Sequence, residues 1–275
     1  MVTKLVVTAD DFGADIAVNE AVEAAHQDGI LTAASLMVGA PAVADAVARA
    51  RRNPGLGVGL HLVLVEGRPV LPAGEVRDLV GPDGLFRTDM ARLGLAIALS
   101  PAVRRQVRAE IAAQFAAFAA TGLACDHVNA HKHFHVHPMI GAILLDEAAR
   151  HGVRAIRAPV EPGRPRGSGW LAAPFARALR SRARARGLTA PDQVYGLAHS
   201  GHMTAARIAD AVAALPEGLS ELYLHPAMLD DFPGHGPGYR HRAEFDGLVT
   251  PAAREAVAAR GARLGSFTDF LEVAA

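Results

Sequence analysis

Leu5-Val6-Val7-Thr8-Ala9-Asp10-Asp11-Phe12-Gly13 is an apolar run that stops on two adjacent carboxylates and a glycine, and from about Ile16 to His26 the apolar residues recur at helical spacing. A strand followed at once by a helix is the unit from which parallel sheets are wound. The pairing repeats. Thr32–Val38 precedes a helix near Ala42–Arg51, Gly57–Leu64 precedes the first long connection, and Asp126–Ala130 leads through a His-rich turn to a helix near Met139–His151. Arg154–Arg157, Gln193–Gly196, Glu221–Leu224 and Ala262–Ser266 bring the runs to about eight. These alternations predict an α/β fold in which parallel strands form a barrel ringed by helices.

Three stretches rich in Gly and Pro break the rhythm: Glu66–Phe86, Ala158–Gly169 and Asp230–Asp246. Each follows an expected strand, the side on which α/β enzymes build their active sites. The chain of 275 residues is 51% hydrophobic, enough for one large core. It shows no linker, low-complexity tract or internal repeat, so residues 1–275 are expected to form a single domain. Lys and Arg (28) balance Asp and Glu (28), which gives no reason to expect nucleic acid as a partner and points to a small substrate. Cys125 is the one cysteine, so an internal disulfide and multi-cysteine metal sites are excluded and metal ligands must be His, Asp or Glu. Without a signal-like apolar region or a run of roughly 18 apolar residues, the expectation is a cytoplasmic protein.

Asp10 and Asp11 end the first run, where neighbouring side chains of an extended strand point opposite ways. A metal can then engage one while the other faces a bound water. Asp15 is the expected cap of the following helix. His61 lies within Gly57-Val58-Gly59-Leu60-His61-Leu62-Val63-Leu64, where a buried imidazole needs a hydrogen-bond partner or a metal. A lone histidine of this kind is more often structural. In His127-Val128-Asn129-Ala130-His131-Lys132-His133-Phe134-His135-Val136-His137-Pro138, four histidines occupy alternate positions and, if extended, face one way. Imidazole is a common metal ligand, and because the row follows an expected strand a metal site is favoured over a solvated His-rich loop; spacing alone leaves His131 and His133 almost equally eligible. His225 follows Leu222-Tyr223-Leu224 and precedes Pro226, while Arg157 ends the fifth run, placed to hold a carboxylate such as Asp10. A barrel would bring Asp10, Asp11, His61, His131, Arg157 and His225 onto one rim. GxGxxG after a strand, a phosphate-binding GxxxxGK[ST], HExxH and GxSxG are all absent.

Thr8-Ala9-Asp10-Asp11-Phe12-Gly13, Gly59-Leu60-His61-Leu62, the His127–Pro138 row and Leu224-His225-Pro226 together resemble the YdjC-like carbohydrate deacetylases, a family that includes chitooligosaccharide deacetylases. The resemblance implies an irregular TIM-like barrel, metal ligands on Asp11, His61 and His131, a base on Asp10 and a catalytic histidine on His225; Arg157, from its own place at the rim, is expected to join the catalytic site. One divalent ion is expected, Mg or Zn, with Mn or Co as further candidates that the His and Asp donors suit, and the histidine row suggests substrate contacts from His133 and His135. Asn129-Ala130-His131-Lys132-His133-Phe134-His135 and Gly234-His235-Gly236-Pro237-Gly238-Tyr239-Arg240 look most like the branch associated with hopanoid biosynthesis. That likeness implies N-acetylglucosamine on a hopanoid lipid, or otherwise a soluble oligosaccharide, as the deacetylated substrate. Relatives often carry Asp-Ser where this chain has Asn129-Ala130, a change that removes a charged partner for the ligand histidine.

A glycolipid substrate implies peripheral contact with the inner membrane. Leu93–Leu99 and the Trp170–Arg186 segment, with Trp170, Leu171 and Phe175 among arginines, are the stretches whose composition fits it. An ordinary outer helix is the favoured reading of the second. A homodimer is the default for a soluble oligomer. Two rival functions share the donors: a non-haem iron oxygenase, which also uses two histidines and a carboxylate, and a non-catalytic sugar or metal binder, which would have no need of paired aspartates.

Overall fold

The structure is a computed structural model that describes residues 2–163 and 169–271. The expected loop Ala158–Gly169 therefore lies partly outside the described residues. Strands β1 (Thr3–Phe12), β2 (Ala33–Leu36), β3 (Gly57–Leu62), β4 (Val128–Ala130), β5 (Gln193–Tyr195), β6 (Gly218–Leu224) and β7 (Arg263–Leu264) all pair in parallel. Their order is β4-β3-β2-β1-β6-β5, with β7 on β1. β1, the longest strand, is central and is buried on both faces along almost all of its length. Its lower residues Lys4 and Leu5 pair with β7, and its upper residues Thr8 and Ala9 pair with β2, so two short strands share one edge.

The helices are α1 (Ile16–Asp28), α2 (Val43–Arg52), α3 (Met90–Leu99), α4 (Pro101–Ala120), α5 (Pro138–Arg150), α6 (Gly169–Ala185), α7 (Ala205–Ala213), α8 (His241–Val249) and α9 (Pro251–Arg260). Asp15 caps α1 as expected, accepting from the Ala17 amide. Period-2 alternation sorts the two faces of β1. Leu5, Val7 and Ala9 join the main apolar layer, which also contains Val18, Val22 and Leu248 of the helices. Val6 instead joins Ala33, Ala155, Leu219, Phe267 and Phe270 in a small second cluster. Above Val6 on the same face come Thr8 and Asp10, both buried and polar.

The ladder does not close into the expected TIM-like barrel. The fifth run, Arg154–Arg157, makes only single bridges, Ala155 to Thr189 and Ile156 to Val128. With one bridge to each neighbour this run continues no ladder, and the sheet is a half-barrel. α6 packs on the core through Ala176, Leu179 and Ala183, the outer-helix reading, and leaves Trp170, Leu171 and Phe175 exposed at its start. α3 buries Leu93 and Ile97 and exposes Leu95 and Leu99. No described helix is long and apolar enough to cross a membrane.

Asp126 ties the C-terminal segment to the half-barrel. Its carboxylate accepts from the Thr268 amide at 2.7 Å, the Phe267 amide at 3.3 Å and His127 Nδ1 at 2.9 Å. Burial opposes its charge, but His127 and these amides outweigh burial and hold the carboxyl down at about 2. A group held low in the folded chain adds stability above its unfolded titration near pH 4 and loses that contribution as pH falls through the folded value. Asp126→Asn is therefore expected to remove about 2 kcal/mol of stability at neutral pH and to flatten the acid limb between about pH 4 and 2. Urea titrations of both proteins across that window measure the difference.

Candidate metal centre and active site

The register between β1 and β2 shifts between Ala9 and Phe12, and Asp11 adopts φ 64, a left-handed conformation that aspartate tolerates better than most residues. The bulge overturns the expectation that Asp10 and Asp11 point to opposite sides. Both carboxylates reach the same mouth, at the C-terminal ends of the strands. Asp11 Oδ1 lies 3.1 Å from His131 Nδ1 and 3.2 Å from His61 Nε2. One ligand atom from each of Asp11, His61 and His131 falls within 4.8 Å of the others. His61 Nε2 is buried and has no hydrogen bond among the described residues, so it needs a further partner. Two imidazole nitrogens and a carboxylate oxygen from three strand ends form a donor set that fits zinc, manganese or cobalt well and magnesium less so.

Asp10 sits behind this group and is buried. Arg157 grips it with two bonds, Nη1 to Oδ2 at 2.5 Å and Nη2 to Oδ1 at 3.0 Å, as the sequence anticipated. The same guanidinium donates to Glu221 Oε1 from Nε at 2.9 Å and Nη2 at 2.7 Å, and Thr8 adds a bond to that oxygen at 2.8 Å. Arg157 also lies over the Tyr223 ring, 4.5 Å from its centroid. Burial alone would raise the Asp10 carboxyl; Arg157 and then His61 outweigh it and hold the group well below the usual carboxylate range.

The histidine row is not extended. Residues His131–Val136 form 3-10 turns in which Lys132 (φ 52) and His133 (φ 53) are left-handed, and Pro138 then opens α5. The four imidazoles therefore diverge. His131 meets Asp11, and His133 Nε2 lies 3.0 Å from the Tyr223 hydroxyl and borders the cleft. His135, expected to contact substrate, is fully buried, with Nε2 donating to the Arg157 carbonyl at 2.8 Å, and borders neither cleft at the metal group. His137 faces Gly94 of α3.

His225 is fixed through its backbone: its amide donates to Glu244 Oε2 at 2.5 Å and its carbonyl accepts from His241 Nδ1 at 2.6 Å. Glu244 also accepts from the Met203 amide, and burial pushes its carboxyl up to about 7. The His225 ring stands between Tyr223 and Tyr239, with centroids 5.6 and 5.1 Å away. Burial lowers its imidazole to about 4, against the pull of Asp11 and Asp10.

Two clefts of about 680 and 810 Å³ meet at Asp10, Asp11, His131 and His225. The loops Glu66–Phe86 and Asp230–Asp246 supply their walls, as the broken rhythm predicts, although α8 takes up the end of the second. An ion pair between Glu66 and Lys132 borders both clefts. Sequence reasoning missed Glu221, Glu244 and Tyr223. Glu221 carried the same signal as His61, a polar residue inside an apolar strand; Glu244 had none, because a Glu on a helix is ordinarily solvated.

The family model for YdjC-like protein matches residues 4–259. A human protein named carbohydrate deacetylase is 35% identical over 97% of this chain and 90% of its own length. An Enterobacter protein named chitooligosaccharide deacetylase is 33% identical over 96% of this chain and 98% of its own. In fold, the chain is similar to a solved structure from Enterococcus faecalis V583 described as a candidate cellobiose-phosphate cleavage protein, with TM-score 0.80, 23% identity and coverage of 99% and 100% of the two chains. Matched over nearly its whole length, the chain belongs to the YdjC-like protein family.

Proposed function

We propose that the protein is a carbohydrate deacetylase that uses one divalent ion, held by Asp11, His61 and His131, to hydrolyse the N-acetyl group of an N-acetylglucosamine unit. The observation that carries this reading is the convergence of those three ligand atoms within 4.8 Å beside Asp10 and His225 at the meeting of two clefts. Its enzyme class is that of its relatives, a hydrolase of amide bonds. When bound, the ion would polarise the acetyl carbonyl and acidify a water.

Asp10 accepts the proton of the attacking water. The clamp by Arg157 keeps it ionised and fixes its direction, at a cost in basicity. His225 returns a proton to the departing amine. Burial keeps its imidazole neutral near pH 7, so the proton it donates must be the one that the attacking water gave up to Asp10, passed on to His225 before the amine departs; the proton count then closes within the site. Tyr223 and Tyr239 hold the ring edge-on and restrict its swing.

For the substrate, we take the sugar to be borne on a hopanoid lipid, supported by the likeness of Asn129–His135 and Gly234–Arg240 to that branch. One cleft is walled by Val160, Ala172, Ala173, Ala176 and Leu197, an apolar surface suited to a lipid, and the exposed Trp170, Leu171 and Phe175 of the same helix α6 would meet a membrane surface. Acetate release from N-acetylglucosaminyl hopanoid and from diacetylchitobiose tests the proposal. Faster turnover of the hopanoid is expected. Faster turnover of diacetylchitobiose would replace the lipid with a soluble oligosaccharide, and release from neither would overturn the deacetylase reading. The rate should be the same without dioxygen, which an iron oxygenase would require.

A further inference from the structure

Below the metal group, inside the half-barrel, Asp126, His127, Ser35 and Asn129 form one hydrogen-bonded string. Asp126 Oδ2 accepts from His127 Nδ1 at 2.9 Å, His127 Nε2 lies 3.0 Å from Ser35 Oγ, and Asn129 Nδ2 donates to Ser35 Oγ at 2.8 Å. Asn129 Oδ1 then lies 2.6 Å from His61 Nδ1. All four side chains are buried.

The direction of each bond follows from its neighbours. Asp126, held ionised near its two backbone amides, can only accept, so the proton is on His127 Nδ1. His127 Nε2 then accepts the Ser35 hydroxyl proton, which has no other acceptor among the described residues. That leaves the Ser35 oxygen to receive an Asn129 N–H. The second N–H of the same amide goes to Asp10 Oδ1 at 3.1 Å, so the Asn129 oxygen is the atom facing His61. An oxygen there can only accept. His61 must carry its proton on Nδ1, which leaves the Nε2 lone pair toward Asp11 and His131.

A separate observation on β3 supports the string. Gly57 and Gly59 both lack the positive φ that would require glycine. A Cβ on Gly57 would lie 2.6 Å from Ser266 Cβ and 2.8 Å from Asp126 Cγ, and one on Gly59 would lie 2.6 Å from His127 Nδ1 and closer still to the His127 carbonyl oxygen. Gly57, Gly59 and His61 occupy alternate positions of β3 and share one face. Two positions leave room for the start of the string, and the third is its end.

We infer that Ser35, His127 and Asp126 are positioning residues for the metal centre, fixing through Asn129 the form of His61 that presents Nε2 to the ion. This deepens the metal reading above and rests on it for the role of His61. The test is a Zn²⁺ titration of the full chain against a competing chelator. Asn129→Ala should weaken binding about 10- to 100-fold and Ser35→Ala about tenfold. The double variant should bind no more weakly than Asn129→Ala alone, because Ser35 acts through Asn129. Imidazole ¹⁵N spectra of wild type before metal is added, at a pH where His61 is neutral, should show its Nδ1–H form, a readout that stands whether or not a variant folds.

Wild-type affinity in Ser35→Ala, losses that add in the double variant, or an Nε2–H form of His61 would overturn the inference. A wild-type chain that takes up no Zn²⁺ would overturn the metal reading with it. Tight wild-type binding with Ser35→Ala unchanged would overturn the string alone.

Discussion

Arg157→Met is expected to destabilise the fold by about 3–5 kcal/mol, the range for removing one partner from a buried ionic group. Arg157 has no solvent exposure and holds two buried carboxylates, Asp10 and Glu221. Without the guanidinium both carboxylates would be left close together and almost wholly shielded from solvent, and one must take up a proton on folding. Methionine fills much of the volume, so the loss reports the charge more than a cavity. Arg157→Lys should recover only part of the loss, since a single ammonium cannot reproduce the paired bonds to Asp10 together with those to Glu221. Denaturant melts at pH 7 measure both. A loss under about 1 kcal/mol in Arg157→Met would mean that the carboxylates find another partner, against the clamp described here.

Asp10→Asn should lower acetate release by about 10²- to 10⁴-fold while the metal stays bound, the usual worth of one proton transfer. The amide is nearly isosteric and its oxygen still accepts from Arg157, but its NH2 would face the other guanidinium N–H, so a denaturant melt beside the assay separates lost turnover from a loosened site. Asp11, His61 and His131 are untouched and metal content should match wild type. His225→Ala should behave alike, with turnover lost and metal retained. Loss of the metal in Asp10→Asn would instead move Asp10 from the proton-transfer role into the ligand set.

Much of the fold was legible because parallel strands with both faces covered read as apolar runs, and β1, β2, β3, β5 and β6 fall where those runs lie. The incomplete barrel was less legible, since Arg154–Arg157 looks like a strand and only its neighbours decide how much ladder it makes. At the site, His61 and Arg157 could be found because a polar residue at the end of an apolar run needs a reason. The directions of Asp11, His133 and His135 could not. They depend on three left-handed backbone positions, Asp11, Lys132 and His133, which an assumption of extended chain does not provide. Ser35 and His127 each looked unremarkable, and only the half-barrel shows that Gly57 and Gly59 make room for their string.

The most direct test of the central claim is to measure bound metal and acetate release on the same preparations of wild type and His61→Ala. Wild type should carry about one divalent ion per chain, lose acetate release on chelation and regain it on reloading. His61→Ala should hold no ion tightly and release acetate only at the background rate. Acetate release at the wild-type rate from His61→Ala without bound metal would contradict the account.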